Sequence, residues 1–277
     1  QRQMCIRDRL AGVTPDGEGG AYLVTHAAFK PPGSALADHT KHTTVRYSPT
    51  GTVLWEVQQP PVPTPYTMPQ HRSVAAKSSL GVFVGYAVDG RSDQPKPILL
   101  HRAEADGSVL FAQQELHGPK LSAGQIVLGE VGTGALEGLV EEVVAASDGS
   151  VLAVVHDHGQ QQWVIRVDAS GQQTATFVCD GKAVPIAPAE IACIKRGDPE
   201  SFSFSRYGIS GGNLERTLDV WKAPKQAGRT YGTIAGLPGR QLLVSVREDD
   251  QLGLVLLAKT GTLLTSFDAN NDLAIGA

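Results

Sequence analysis

One local pattern returns four times along this chain and limits what it can fold into. Val45-Arg46-Tyr47-Ser48-Pro49-Thr50-Gly51-Thr52-Val53-Leu54-Trp55 is followed by Leu100-His101-Arg102 leading to Gly107 and Phe111. Next come Ile165-Arg166-Val167 leading to Gly171 and Phe177, and Leu256-Leu257 leading to Gly261 and Phe267. In each copy an apolar strand end reaches a glycine five residues after a marker position (Arg46, Arg102, Arg166 or Leu256), and an aromatic follows four or six residues later. This is a β-hairpin repeated. A recurring hairpin cannot bury its apolar face alone, so it must stack against its own copies, which points to an all-β chain of radially arranged sheets, a β-propeller. A β-sandwich is the rival architecture, but it does not require one glycine and one aromatic at matching offsets in every hairpin.

The clearest unit runs from Leu139 to Val178. Its expected strands are Glu141 to Ser147, Val151 to His156, Gln162 to Val167 and Gln173 to Val178, with tight turns at Asp148-Gly149 and Ala169-Ser170-Gly171. Four antiparallel strands make one blade, and about five are expected, over 10–58, 71–115, 139–178, 189–222 and 230–268. The fourth strand of the 189–222 copy has no clear place, and Asn213 to Lys222 has the pattern of a short helix. Residues 10–277 read as a single propeller domain, truncated at its start. Met4-Cys5-Ile6-Arg7-Asp8 resembles the translation of a sequencing-library adapter, so residues 1–9 are expected to be read-through that contributes little to the core, and the segment that would carry a signal peptide is missing.

The repeats resemble bacterial propeller repeats of the delta-60 and PQQ-like kind. The resemblance is carried by Asp148-Gly149-Ser150-Val151-Leu152-Ala153, by Trp163-Val164-Ile165-Arg166-Val167-Asp168-Ala169-Ser170-Gly171, by the ending Leu263-Leu264-Thr265-Ser266-Phe267, and by Thr50-Gly51-Thr52-Val53-Leu54-Trp55. It covers most of the chain and implies blade construction. It brings no catalytic residue, and no segment matches the cofactor and metal sites of the quinone-dependent dehydrogenases that share such repeats.

Composition narrows the partners. The formal net charge is −4, and discounting residues 1–9 makes the balance more acidic, which argues against nucleic acid and anionic membrane surfaces. No apolar run is long enough to cross a bilayer. Cys179 and Cys193 are the credible native cysteines; they either close a loop between neighbouring strands or remain as packed thiols.

Three motifs suggest chemistry. Gly208-Ile209-Ser210-Gly211-Gly212 has the form of a nucleophile elbow, but all eight histidines lie at or before His158, so no base follows the serine as that hydrolase order requires. Gly132-Thr133-Gly134 with Gly138 has the look of a dinucleotide loop set among β meanders, and a flexible connection between blades is expected instead. The loops joining the second and third strands of each blade should open on one face. They carry Asp38, His39 and His42, then Asp89 and Asp93, then His156, Asp157 and His158, then Glu248, Asp249 and Asp250. Strand alternation turns His156 and His158 to one side, a spacing that can serve one divalent cation. The bland reading is a set of wet polar loops. The connections Gln59 to Gln70 and Leu116 to Gly138 enlarge the same face, and Trp55, Trp163 and Trp221 are expected to pack between blades.

The expected function is a non-catalytic binding or interaction module of a bacterial protein. It would be monomeric, take a protein or small polar ligand on the loop face, need no cofactor beyond a possible divalent cation, and act outside the cytoplasm. The alternatives are a propeller enzyme, either a metal-dependent hydrolase or lactonase or a quinone-dependent dehydrogenase, and a purely structural module of a larger surface protein.

Overall fold

The computed structural model describes residues 8–29, 38–58, 62–64, 74–89, 95–113, 115–157, 161–179, 181–187, 190–196, 202–210, 213–217, 229–237, 241–248, 251–257 and 263–268. Every regular element among them is a strand, and the strands form the four-stranded antiparallel blades of a propeller-type fold. The chain divides into two compact units, residues 1–178 and 179–277.

Three blades belong to the first unit. The first comprises β1 (Asp8–Pro15), β2 (Ala21–Phe29), β3 (Asp38–Tyr47) and β4 (Val53–Gln58), with the short β5 (Val62–Thr64) added against β3. The second comprises β6 (Val74–Lys77), β7 (Gly81–Asp89), β8 (Pro95–Ala103) and β9 (Val109–Gln113). A separate hairpin, β10 (His117–Ser122) with β11 (Gln125–Ala135), precedes the third blade of β12 (Leu139–Ala145), β13 (Val151–His156), β14 (Gln162–Val167) and β15 (Gln173–Cys179). In that third blade Val151↔Val167 to His156↔Gln162 pair antiparallel without interruption, as the hairpin pattern predicts. β1 begins at Asp8, so Asp8 and Arg9 pair with Ala27 and His26.

The second unit holds two blades. One is β16 (Lys182–Ala187), β17 (Glu190–Arg196), β18 (Phe202–Ser210) and β19 (Asn213–Thr217); the other is β20 (Arg229–Leu237), β21 (Gln241–Glu248), β22 (Gln251–Leu257) and β23 (Leu263–Asp268). The strand missing from the sequence reading is β19, and the expected helix after Asn213 is this strand instead. Asn213 pairs with Ser210, and hairpin closure outweighs a helical pattern too short to nucleate alone. Cys179 and Cys193 form a disulfide with Cα atoms 5.3 Å apart.

Successive blades of the first unit pack face to face. Tyr22, Val24 and Trp55 of the first blade meet Val82, Val84, Tyr86, Ile98 and Leu100 of the second. Phe83 and Leu99 on the other face of the second blade meet Val140, Val143, Val151, Ala153, Val155, Ile165 and Val167 of the third. A strand covered on both faces needs no polar alternation, and β13 from Val151 to Val155 is accordingly apolar and buried throughout.

The repeated glycine and aromatic are the joint between blades. Gly107 of the second blade, at φ +72°, lies so close to Trp55 of the first that a Cβ would stand 2.8 Å from the indole. Gly171 of the third blade, at φ +87°, approaches Phe111 of the second in the same way, at 2.9 Å. Only glycine both adopts the left-handed turn and leaves the ring its space.

The arginine markers tie turns and strands within a blade, and Arg46 also reaches the next one. Arg46 donates to Asp16, Glu18 and the Glu104 carbonyl, and its guanidinium lies 3.2 Å from Glu104 Oε1. Glu104 also takes Lys77 Nζ at 2.5 Å and the Tyr22 hydroxyl at 3.2 Å, and its carbonyl accepts from Trp55 Nε1 at 2.8 Å. The Lys77 hydrogen bond holds the Glu104 carboxyl below the usual range. Arg166 pairs with Asp148 at 3.2 Å. Arg102, 2% exposed, has only the Gly107 carbonyl at 2.7 Å, and no carboxylate among the described residues reaches it.

Candidate binding groove

The span expected to be a plain connection, Leu116 to Gly138, holds the β10–β11 hairpin, and of the glycines that looked like a loose loop Gly132 and Gly134 lie within β11 while Gly138 directly precedes β12. A two-residue turn closes it. Ala123 and Gly124 both have positive φ, +50° and +78°, and stand between the paired Ser122 and Gln125, the geometry that suits a right-twisted hairpin. β11 is longer than β10 and slips register twice against it, between His117↔Ala135 and Pro119↔Val131 and again before Leu121↔Ile126. Bulges of this kind strengthen twist and bend the strand.

The base of the hairpin is fixed to the third blade. Leu116 and Leu136 enter the core, and the Leu136 amide donates to the Leu116 carbonyl at 2.6 Å. Gln173 of β15 bonds both ways with the His117 backbone, accepting from its amide at 2.8 Å and donating to its carbonyl at 2.7 Å. Thr176 Oγ1 donates to the same carbonyl. Farther along, Gly129 passes over the Phe177 ring, where a Cβ would stand 3.0 Å from it.

Between the hairpin and the blade lies a groove of about 860 Å³. The hairpin lines it with Gly118 to Leu121 of β10 and Gly129 to Gly134 of β11, and the blade with Trp163 of β14 and Thr174 of β15. The Trp163 indole N–H donates to Asp157 Oδ2 at 2.9 Å, which fixes the ring and leaves its surface as lining. Thr174 Oγ1 accepts from Arg166. At the lip Lys120 Nζ and Glu130 Oε2 pair at 2.7 Å, both about half exposed. Leu121 and Ile126, cross-strand partners near the tip, are 63% and 41% exposed.

The residues expected on a loop face fall at several places in the strand order. Asp38, His39 and His42 belong to β3, and His42 is buried with its ring 4.9 Å from that of Tyr86. Asp89 ends β7 and Glu248 ends β21. Asp93, His158, Asp249 and Asp250 lie outside the described residues. His156 ends β13, with Nδ1 3.6 Å from Glu141 Oε1, while Gln162 donates to the other oxygen of that carboxylate. Asp157 is engaged by the Gln161 amide and by Trp163. Among the described residues no three His, Cys, Asp or Glu side chains come together as a metal site would require.

Ser210 is the last residue of β18, and the strand that follows it is antiparallel β19, so the strand-to-helix context of a nucleophile elbow is absent there. Ser78 Oγ and His101 Nε2 lie 2.6 Å apart, a pairing no sequence spacing announced. Both residues are buried, His101 stacks on Phe83 at 4.0 Å, and Ser78 also caps its turn through the Leu80 and Gly81 amides. Burial pushes the His101 pKa down to about 4, which keeps the imidazole neutral in the fold.

No family model and no curated protein sequence matches the chain. Solved structures do. Prolyl oligopeptidase B from Galerina marginata superposes with a TM-score of 0.51 in a substrate-bound form and 0.50 in the apo form, at 9% and 8% identity. Each match covers 94% of this chain and 35% of that one, so the chain spans about a third of the enzyme's length. An ulvan-type polysaccharide lyase aligns over 92% of this chain and 70% of its own at 8% identity, but its TM-score of 0.43 is too low to carry an argument. At such identities the likeness concerns the fold, which is of the β-propeller type.

Proposed function

We propose that this chain is a non-catalytic binding module and that the groove under the β10–β11 hairpin is its working surface. The observation that carries this reading is the fixed Trp163 ring lining a cleft of ligand size together with the glycine-rich hairpin. The Ser78–His101 pair faces the core and is closed to a substrate, His42 packs beside Tyr86, and His156 lies beside Glu141. No resident cofactor is part of the proposal.

The test is a saturation-transfer NMR screen of a soluble fragment library against the chain and against Trp163→Ala. Fragments that bind the parent and lose their signal in the variant are the expected result. Binding that is the same in both proteins, or absent from both, overturns the assignment of the groove.

The reading extends to a location outside the cytoplasm. The Cys179–Cys193 disulfide supports it, because such bonds persist in oxidising compartments. Iodoacetamide should modify neither cysteine in protein isolated from the periplasm or medium until a reductant is added. Full labelling of both without reductant would count against it.

A further inference from the structure

We propose that the groove takes an extended, uncharged peptide segment, which pairs through its backbone with β11 as an added strand; this rests on the groove being the binding surface. The hairpin side of the groove is made by both strands, 118–121 of β10 and 129–134 of β11, and Gly118, Gly129, Gly132 and Gly134 among them carry no side chain. What such a wall offers is main chain. Among the described residues β11 has one strand neighbour, β10, which is shorter and meets it at four paired positions. One of those four is Pro119 opposite Val131, and proline has no N–H to donate. The edge of β11 away from β10 pairs with no other strand among the described residues, and an unpaired edge is the feature that strand-adding recognition uses.

The remaining lining suits the side chains of such a strand. Successive residues of an extended peptide point to opposite sides, so every second one would face Trp163 while its neighbours turn outward. Leu121 and Ile126 at the mouth extend this apolar surface. The two charges at the lip, Lys120 and Glu130, neutralise one another, so the site favours an uncharged stretch over an acidic or basic one. A six-residue wall spans about 20 Å at strand rise, enough to hold six residues of ligand.

The probe is an acetylated and amidated peptide with alternating threonine and valine over seven residues, flanked by one lysine at each end for solubility and labelled for fluorescence polarisation. Two further versions carry N-methyl groups on the odd or the even amides of the alternating stretch. N-methylation removes donors from one edge of the strand and leaves every side chain in place. The full chain should bind the parent peptide, and one methylated version should lose at least tenfold in affinity while the other retains it. Hydrogen exchange at 129–134 should slow on binding, and Trp163→Ala should weaken the complex without abolishing that protection.

No binding of the parent peptide, or equal binding of all three versions, overturns the proposal. So does protection confined to other edge strands such as β4 or β9. If fragments bind the groove in a Trp163-dependent way and the peptide does not, strand addition fails while the binding groove itself stands.

Discussion

Arg46, Arg102 and Arg166 occupy one position of the repeat, yet their surroundings give them different energetic roles. Arg46 and Arg166 face carboxylates supplied by the first turn of their own blades, Asp16 and Asp148. The Asp16 carboxyl is held below the usual range, first by the Glu18 amide and then by Arg46, with burial acting in the opposite direction. In the second blade the corresponding turn is Ser78-Ser79-Leu80-Gly81, which has no acid, and Arg102 is a buried cation without a counterion among the described residues. A buried charge in that state costs desolvation without the Coulombic return. Arg102→Met should therefore leave unfolding free energy unchanged or raise it by about 1 kcal/mol. Arg46→Met, which takes the cation from the buried Asp16 and leaves Glu104 with Lys77 and Tyr22, should clearly lower the urea midpoint. Urea unfolding of both variants checks this, and a large loss for Arg102→Met would show that its bond to the Gly107 carbonyl outweighs desolvation. His101 gives a pH signature. Its folded pKa of about 4 lies below the ordinary 6.5, so the unfolded chain binds the extra proton first. Stability should thus be full above about pH 6.5, fall as pH drops towards 4, and level off below, for a total of about 3 kcal/mol. Midpoints measured from pH 7 to pH 4 should show this slope in the parent and a flatter one in His101→Phe.

Glycine and aromatic in the repeat do their work between elements. Gly51, Gly107 and Gly171 share a left-handed φ, but Gly51 has nothing within 4 Å of where a Cβ would be, while the other two face rings. Gly51→Ala should cost about 1 kcal/mol, the backbone contribution alone. Gly107→Ala and Gly171→Ala add a clash with Trp55 or Phe111 and should cost about 2–4 kcal/mol. Thermal melts of the three variants give the comparison, and equal losses would mean that the joint is soft. These joints were visible in the sequence because they recur, and recurrence needs no knowledge of the partner. The β10–β11 hairpin occurs once and does not share the repeat. Its local signs were weak: alternation is broken by two register slips, and its turn is Ala123-Gly124, where the residue at positive φ is an alanine in place of the usual asparagine or aspartate. So the strand that forms the groove wall read as a flexible connection, and Trp163 read as packing alone.

For the molecule as a whole, hairpin periodicity foretold four-stranded antiparallel blades, because covered strands impose long apolar runs whatever their ligand. The degenerate copy was legible only in part: β16 starts before its expected boundary, and β19 was hidden by a sequence that also suits a helix. The disulfide was left open because spacing alone does not bring two sulfurs together. It closes a loop of about fifteen residues, for which chain entropy suggests about 3 kcal/mol. Cys193→Ser should lower the stability of the second unit by up to that amount, read as an earlier transition in a calorimetric scan, and no change would place the stabilisation elsewhere. The joint made by Gly107 on Trp55 and Gly171 on Phe111 has one more implication. It asks for a bare α-carbon on one side and a flat ring on the other, and is indifferent to which copies supply them. Exchanging one of these copies for the other would keep the joint at the seam, whereas a single-residue insertion at the turn would move the bare α-carbon off the ring.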